Sequence, residues 1–154
     1  MTQVLIAAID QGFERKSWHG TNLRGAIRGM TARQASWRPA PGRHNAWEIV
    51  LHAAYWKYVV RRRLLGEKRG SFPLEGSNWF ESPKAPSEAA WRDAVRLLED
   101  VHRSMRAAVL ALTPADLLKK GRRGTTTTLG LVTGIAAHDL YHAGQIQLLK
   151  RLMP

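Results

Sequence analysis

Apolar residues recur at helical spacing along three long segments, and this pattern restricts the fold more than any other feature of the chain. Residues 45–65, 87–112 and 128–152 each carry an apolar stripe at intervals of three and four residues. Residues 4–13 and 22–30 show the same spacing and predict a broken first helix. Alternating patterns typical of strands are nearly absent. The sequence therefore predicts an all-α chain that closes into a four-helix bundle.

Capping residues and chain breakers set the ends of the predicted helices. Asn45 precedes Glu48 by three residues, a capping-box spacing in which Asn45 accepts from the N–H of residue 48 and Glu48 reaches back. Gly66 ends that helix, and Ser87 can cap the next one. Residues 66–86 between them are rich in Gly, Pro and Ser. A loop of about twenty residues is long for a compact domain and predicts a lid, a binding loop or a mobile segment.

The length of 154 residues fits one domain, and we expect residues 1–154 to form a single unit. The first residues lack the basic start of a signal peptide. The chain has no run of about eighteen apolar residues, so no membrane span is expected. The absence of cysteine excludes disulfides, thiolate metal ligands and a cysteine nucleophile. Together these features favour a cytoplasmic protein.

The net charge of +12 can attract nucleic acid, an anionic surface or an acidic small molecule. No nucleic-acid-binding motif accompanies the charge, so we do not expect a nucleic-acid partner. Part of the charge forms a basic cluster that consists of Lys57, Arg61, Arg62, Arg63, Lys68 and Arg69. Together with Arg122 and Arg123, this basic cluster could attract an anionic co-substrate. A solvated helix face is the simpler explanation for any single one of these residues.

Three histidines are expected on apolar helix faces. His138 and His142 are four residues apart on the last helix, so both rings lie on one face about one turn apart. His52 lies on or next to the apolar face of the second long helix. Inward imidazoles without partners are costly, and a metal ion satisfies all three together. We therefore predict that His52, His138 and His142 bind one divalent metal ion.

Three imidazoles suit Zn, Ni, Mn, Fe or Co, and Zn or Ni is the preferred prediction. They leave one to three coordination positions for water or substrate. No fourth protein ligand is obvious, so a closed structural zinc site is not expected.

Two segments resemble the DinB/YfiT-like superfamily of DNA-damage-inducible four-helix-bundle metalloproteins. They are WEIVLHAAYW at residues 47–56 and HDLYHAGQI at residues 138–146. In that family one histidine comes from the second helix and an H-x-x-x-H pair from the last, positions that His52, His138 and His142 match. A looser likeness at residues 18–20 and 37–42 extends the resemblance over nearly the whole chain. It implies an up-down-down-up bundle with a long loop between its second and third helices.

The resemblance also implies an activity. Characterised members of the family are metal-dependent thiol S-transferases that use low-molecular-weight thiols, and the related maleylpyruvate isomerases use mycothiol. A small thiol and an electrophile are therefore the implied substrates, and a homodimer is the implied assembly. A metal-dependent hydrolase that activates water, and a non-catalytic metal- or anion-binding module, are the competing hypotheses.

Neighbours of the three histidines are candidates for supporting roles. His19 could be a fourth ligand, a proton carrier or a substrate contact. Glu48 lies one turn before His52 and could hydrogen-bond a ligand, although its capping role is preferred. Tyr55 is one turn after His52, and Gln145 could orient water or substrate. The remaining candidates in this region are more peripheral: Tyr141 as a packed aromatic, and His44 and His102 as surface or flank residues without a role.

Overall fold

The computed structural model describes residues 2–120 and 125–154. Arg122 and Arg123, which we grouped with the basic cluster, lie outside these residues. No helix in the described ranges has the length and apolar character needed to cross a membrane. Apart from one isolated bridge between Lys120 and Thr127, the regular structure of these ranges is helical, which confirms the all-α prediction. The helices are α1 (Thr2–Phe13), α2 (Leu23–Ile27), α3 (Ala32–Ser36), α4 (Ala46–Leu65), α5 (Glu88–Leu110), α6 (Pro114–Leu117) and α7 (Thr128–Leu152).

The ends of the long helices follow the capping residues that the sequence predicted. Asn45 accepts from the backbone N–H of Glu48 at 2.9 Å, and Ser87 accepts from that of Ala90 at 3.2 Å. Gly66 ends α4 at a φ of 69°, a left-handed conformation that glycine adopts without strain. The short helices α3 and α6 were not predicted, and α2 ends at Ile27, before the predicted end at Met30.

Contacts between helices fix their directions. The start of α1 bonds the chain just past the end of α5, and the last residue of α1 stacks near the middle of α5, so these two helices are antiparallel. Trp47 and Trp91, each near the start of its helix, lie with ring centroids 5.2 Å apart, so α4 and α5 are parallel. Contacts between α4 and α7 run in opposite chain directions. The four long helices thus form the up-down-down-up bundle that the resemblance implied.

The loop of residues 66–86 is long because α4 and α5 are parallel. The chain must return from the end of α4 to the start of α5, about 30 Å for a helix of 20 residues. The loop retraces α4 backwards, through hydrogen bonds of Ser71 with Tyr58, Asn78 with Trp56 and His52, and Ser82 with Asn45. It is therefore a crossover that covers one face of α4.

A polar layer divides the apolar core in two. One apolar cluster surrounds Trp47 at the start of α4, and the other surrounds Met105 towards the end of α5. Between them α4, α5 and α7 each contribute one fully buried polar residue, respectively Lys57, His102 and Asp139. The bundle therefore buries three titratable groups at one level.

Two predictions are wrong at this layer. Lys57, assigned to the exposed basic cluster, is 0% exposed, and His102, assigned to the surface or flank, is 1% exposed. Lys57 was misplaced because α4 is buried on nearly all sides, which leaves no polar stripe to mark an outer face. His102 lies on the buried stripe of its amphipathic helix, between Leu98 and Met105, and was misplaced because its residue type was given more weight than its position.

Candidate metal centre

His52 from α4 meets His138 and His142 from α7. The Nε2 atom of His138 lies 3.2 Å from Nε2 of His52 and 3.1 Å from Nε2 of His142. One nitrogen from each ring lies within 4.8 Å of the other two. In the chain that the structure describes, this is the one cluster of three or more His, Asp or Glu side chains able to hold a metal ion. The structure thus brings together the three predicted ligands.

Hydrogen bonds on the far side of two rings fix their tautomers. His52 Nδ1 lies 2.8 Å from the backbone carbonyl of Asn78, which can only accept, so Nδ1 carries the proton. His142 Nδ1 donates in the same way to Oε1 of Gln145 at 2.6 Å, while the amide nitrogen of Gln145 donates to the Tyr141 hydroxyl at 3.1 Å. Both Nε2 atoms are therefore left with a lone pair directed at the centre of the group.

The spacing of these lone pairs fits a metal ion. Two unprotonated nitrogens converge on His138 Nε2, and His138 has at most one proton there to share between them. Nitrogens bound tetrahedrally at about 2.0–2.1 Å from zinc lie about 3.3 Å apart, close to the separations found here. The donor set, three neutral imidazoles, is one that Zn, Ni, Co, Fe and Mn accept. The group can therefore bind a divalent metal ion, and the donor atoms do not distinguish among these metals.

Burial keeps the three rings neutral. Desolvation, followed by the positive charges of His142, His52 and Lys57, lowers the pKa of His138 to about 3. Desolvation likewise lowers the pKa of His142 to about 4, although the Gln145 hydrogen bond opposes it. The pKa of His52 is lowered by burial too. The unprotonated form that a metal requires is thus the ordinary form of these side chains at neutral pH.

Asn78 and Trp79 form a roof over the group, and sequence reasoning missed both. Asn78 has a φ of 68°, the one positive value at a non-glycine residue in the described ranges. This left-handed turn directs its carbonyl to His52 while its side chain accepts from the Trp56 indole at 2.9 Å. Trp79 stacks on the His52 ring at 3.8 Å. The available signal was Asn next to Gly and Ser in the loop, because Asn tolerates this conformation.

His44 holds the outer face of Trp79. The two rings stack at 3.6 Å, so Trp79 is sandwiched between His44 and His52. His44 Nδ1 lies 2.9 Å from a carboxylate oxygen of Glu48, which also binds Arg38. Glu48 therefore supports the roof through His44. The prediction that the Glu48 carboxylate accepts from the backbone N–H of Asn45 is wrong. In the described chain the carboxylate bonds Arg38, His44 and the backbone N–H of Ser82, and none of the three clustered histidines.

The other predicted neighbours lie in different surroundings. Gln145 contacts His142, one of the three predicted ligands, as its predicted place beside the site requires. His19 is exposed, bonds Ser17 at 2.8 Å, and does not belong to the three-histidine group. Tyr55 packs among aromatic side chains, including Phe72 and Phe80, rather than against the three histidines.

Lys57 and Asp139 pair in the polar layer next to the group. Asp139 directly follows His138 on α7, and both partners are fully buried. Burial lowers the pKa of Lys57 and raises that of Asp139, and in each case the partner's opposite charge counters the shift. The Nζ atom of Lys57 lies 4.8 Å from the centre of the Phe13 ring. Sequence reasoning missed this pair, because Lys57 was assigned to the exposed basic cluster.

A cavity of about 410 Å³ opens beside the roof, between α4 and residues 69–77. Its lining runs along α4 from Trp56, whose indole binds Asn78, to Arg62 and Arg63, and includes Arg69 and Glu75 of the loop. We call it the arginine-lined cavity. Of the rest of the predicted basic cluster, Arg61 is engaged in a bidentate pair with Glu67 at 2.8 Å.

Comparison with known proteins gives one result. A family model described as the DinB superfamily matches residues 17–146, most of the chain. No curated protein and no solved structure matches. The matched range includes all three histidines and the whole of the roof. Together with the helical bundle, this match shows that the chain belongs to the DinB superfamily.

Proposed function

We propose that this protein binds a divalent metal ion through His52, His138 and His142 and acts as a metal-dependent thiol S-transferase with a low-molecular-weight thiol. The observation that carries the proposal is the convergence of Nε2 atoms at 3.1–3.2 Å, two of them held unprotonated by bonds to Asn78 and Gln145. Zn or Ni is the expected metal. A bound metal ion would lower the pKa of a thiol at the site and favour its thiolate form.

The composition of the chain supports a thiol that comes from a separate molecule. The chain has no cysteine, so the sulfur must come from a second molecule. In the transfer, the sulfur forms a bond to the electrophilic carbon, the leaving group departs with its electron pair, and the thiol proton passes to solvent. Trp79 shields one side of the His52 ring from water.

The arginine-lined cavity supports a thiol that carries negative charge. His52 and Arg62 are ten residues apart on α4, about 15 Å along the helix axis. A thiol of tripeptide size is about 10 Å long when extended, so a contact with these arginines would require their side chains to extend towards the three histidines. Carboxylates at its far end would pair with guanidinium groups. This is the part of the basic cluster to which we assign a binding role.

The hydrolase hypothesis is less well supported. Activation of water requires a general base near the metal, and no carboxylate joins the three-histidine group in the described part of the chain. The two buried carboxylates nearest in sequence to the ligands are already engaged, Glu48 with Arg38 and Asp139 with Lys57. A non-catalytic binding module remains the other alternative, and the thiol assay below separates it from an enzyme.

Two measurements test the proposal. Purified protein should hold one metal ion per chain by elemental analysis, and the change His138→Ala with His142→Ala should abolish binding. Stoichiometric metal that survives this double change would refute the metal site. With metal present, a screen of common thiols against a chromogenic electrophile should show metal-dependent acceleration. If none of the thiols tested gives metal-dependent acceleration, the transferase is eliminated and the binding module or the hydrolase remains.

A further inference from the structure

The Lys57–Asp139 pair joins the two helices that carry the metal ligands. Among the described residues, this pair and the His52–His138 contact are the only side-chain hydrogen bonds between α4 and α7. Lys57 lies five residues after His52, and Asp139 directly follows His138. The pair therefore fixes the two helices to each other within about one and a half turns of the ligands.

Stability alone does not account for such a pair. Removing two charges from water costs more than their attraction commonly returns, and apolar pairs of similar size are often as stable or more so. One carboxylate oxygen of Asp139 has no hydrogen-bond partner in the described chain, which adds to the cost. A hydrogen-bonded pair differs from an apolar one in fixing direction and register.

The packing around the pair leaves both side chains little freedom. The end of α1 covers them: Phe13 lies over Lys57, and Gly12 lies against α7 at Ala136 and Asp139. A methyl group added at Gly12 would stand 3.0 Å from the Ala136 carbonyl oxygen and 3.6 Å from Cβ of Asp139. The pair is thus held in one geometry by α1 as well as by its own hydrogen bond.

Unlike the other two proposed ligands, His138 has no outer hydrogen bond that orients its ring within the described residues. His52 and His142 each have an outer hydrogen bond that orients the ring, from Nδ1 to Asn78 and to Gln145. The Nδ1 atom of His138 is buried and has no such partner in the chain as described. The place of its Nε2 therefore depends on where α7 itself lies, and Asp139 is the adjacent residue on that helix.

We propose that Lys57 and Asp139 are positioning residues that fix the register and rotation of α7 against α4, and so hold His138 at metal-binding distance from His52. This inference rests on the proposed metal site. It assigns the buried pair to metal affinity and ligand geometry, with little part in the stability of the metal-free bundle.

The test compares two double variants. In Lys57→Met with Asp139→Leu, both charges are replaced by apolar side chains, which avoids the isolated buried charge that a single change would leave. The matched control is Asp10→Leu with Arg106→Met, which removes a bidentate pair of 2.7 and 2.9 Å between α1 and α5, helices that carry no ligand histidine. Each protein is titrated with Co²⁺, and its urea midpoint is measured without metal.

We expect the Lys57/Asp139 variant to keep or raise the metal-free urea midpoint, to bind Co²⁺ at least about tenfold more weakly, and to show an altered Co²⁺ visible spectrum. The control should keep the wild-type affinity and spectrum. A folded Lys57/Asp139 variant with wild-type Co²⁺ affinity and spectrum would overturn the proposal, and so would an equal loss of affinity in the control.

Failure of the proposed metal site is a separate result. If the wild type takes up no Co²⁺, the positioning role is tested by the distance between α4 and α7 instead. Double electron–electron resonance measures this distance between spin labels at Arg63→Cys on α4 and Arg151→Cys on α7. The chain has no other cysteine to label. A distance distribution that broadens in the metal-free Lys57/Asp139 variant would support the positioning role, and an unchanged one would overturn it.

Discussion

Replacing His102 with leucine should remove a definite part of the acid sensitivity of this protein. The ring stacks on Phe13 at a centroid distance of 3.7 Å, and neither of its nitrogens has a hydrogen-bond partner in the described chain. Burial, followed by the positive charges of Lys57, Arg106 and Arg103, lowers its pKa from 6.5 to about 2. His102 is therefore buried in the neutral form.

The sign and size of the effect follow from this shift. Below pH 6.5 the unfolded chain takes up a proton at His102, whereas the folded protein does so only near pH 2. The unfolded state then binds more protons, so the free energy of unfolding falls as the pH falls through this window, and above it the effect is absent. Each pH unit below 6.5 is worth about 1.4 kcal/mol, and about two such units lie between pH 7 and pH 4.5, so this drop should cost about 3 kcal/mol through this residue.

Urea unfolding at several pH values, with chelator present, measures the effect. His102→Leu changes packing, which displaces the whole curve, but only the lost proton changes its slope. Between pH 7 and pH 4.5 the variant should lose about 3 kcal/mol less than the wild type. His19→Leu, at an exposed histidine, is the control for the loss of an imidazole side chain. Parallel curves for wild type and His102→Leu would refute this account of the buried ring.

Three further predictions concern the roof and the assembly. Asn78→Val, which cannot adopt the left-handed turn, should weaken metal binding by about tenfold in a Co²⁺ titration, while Asn78→Gly keeps it; equal affinities would contradict the role of the carbonyl. Trp79→Ala should expose the His52 ring and speed release of bound metal to a chelator, and an unchanged rate would show that stacking does not shield the site. The exposed face of α7 around Leu148 has no charged residue before Lys150, so we predict a homodimer that Leu148→Arg dissociates and Leu110→Arg on α5 does not; a monomeric wild type by light scattering would exclude it.

The sequence by itself placed the long helices and the three histidines of the candidate metal centre. Helical spacing depends only on neighbours along the chain, so His138 and His142 could be placed on one face before any packing was known. His52 and its surrounding segment then linked a second helix to the same site. The caps at Asn45 and Ser87 and the stop at Gly66 are local in the same sense, since each bonds or turns the chain within a few residues.

Tertiary structure decided what surrounds the three histidines. The parallel direction of α4 and α5 turned the loop of residues 66–86 into a crossover, and only this path brings Asn78 and Trp79 over His52. Lys57 is read as a surface residue from composition, yet four packed helices bury it against Asp139. These contacts join residues tens of positions apart, and no local pattern records them. Periodicity reports which face of a helix is apolar, whereas the partner that covers that face depends on how the whole chain packs.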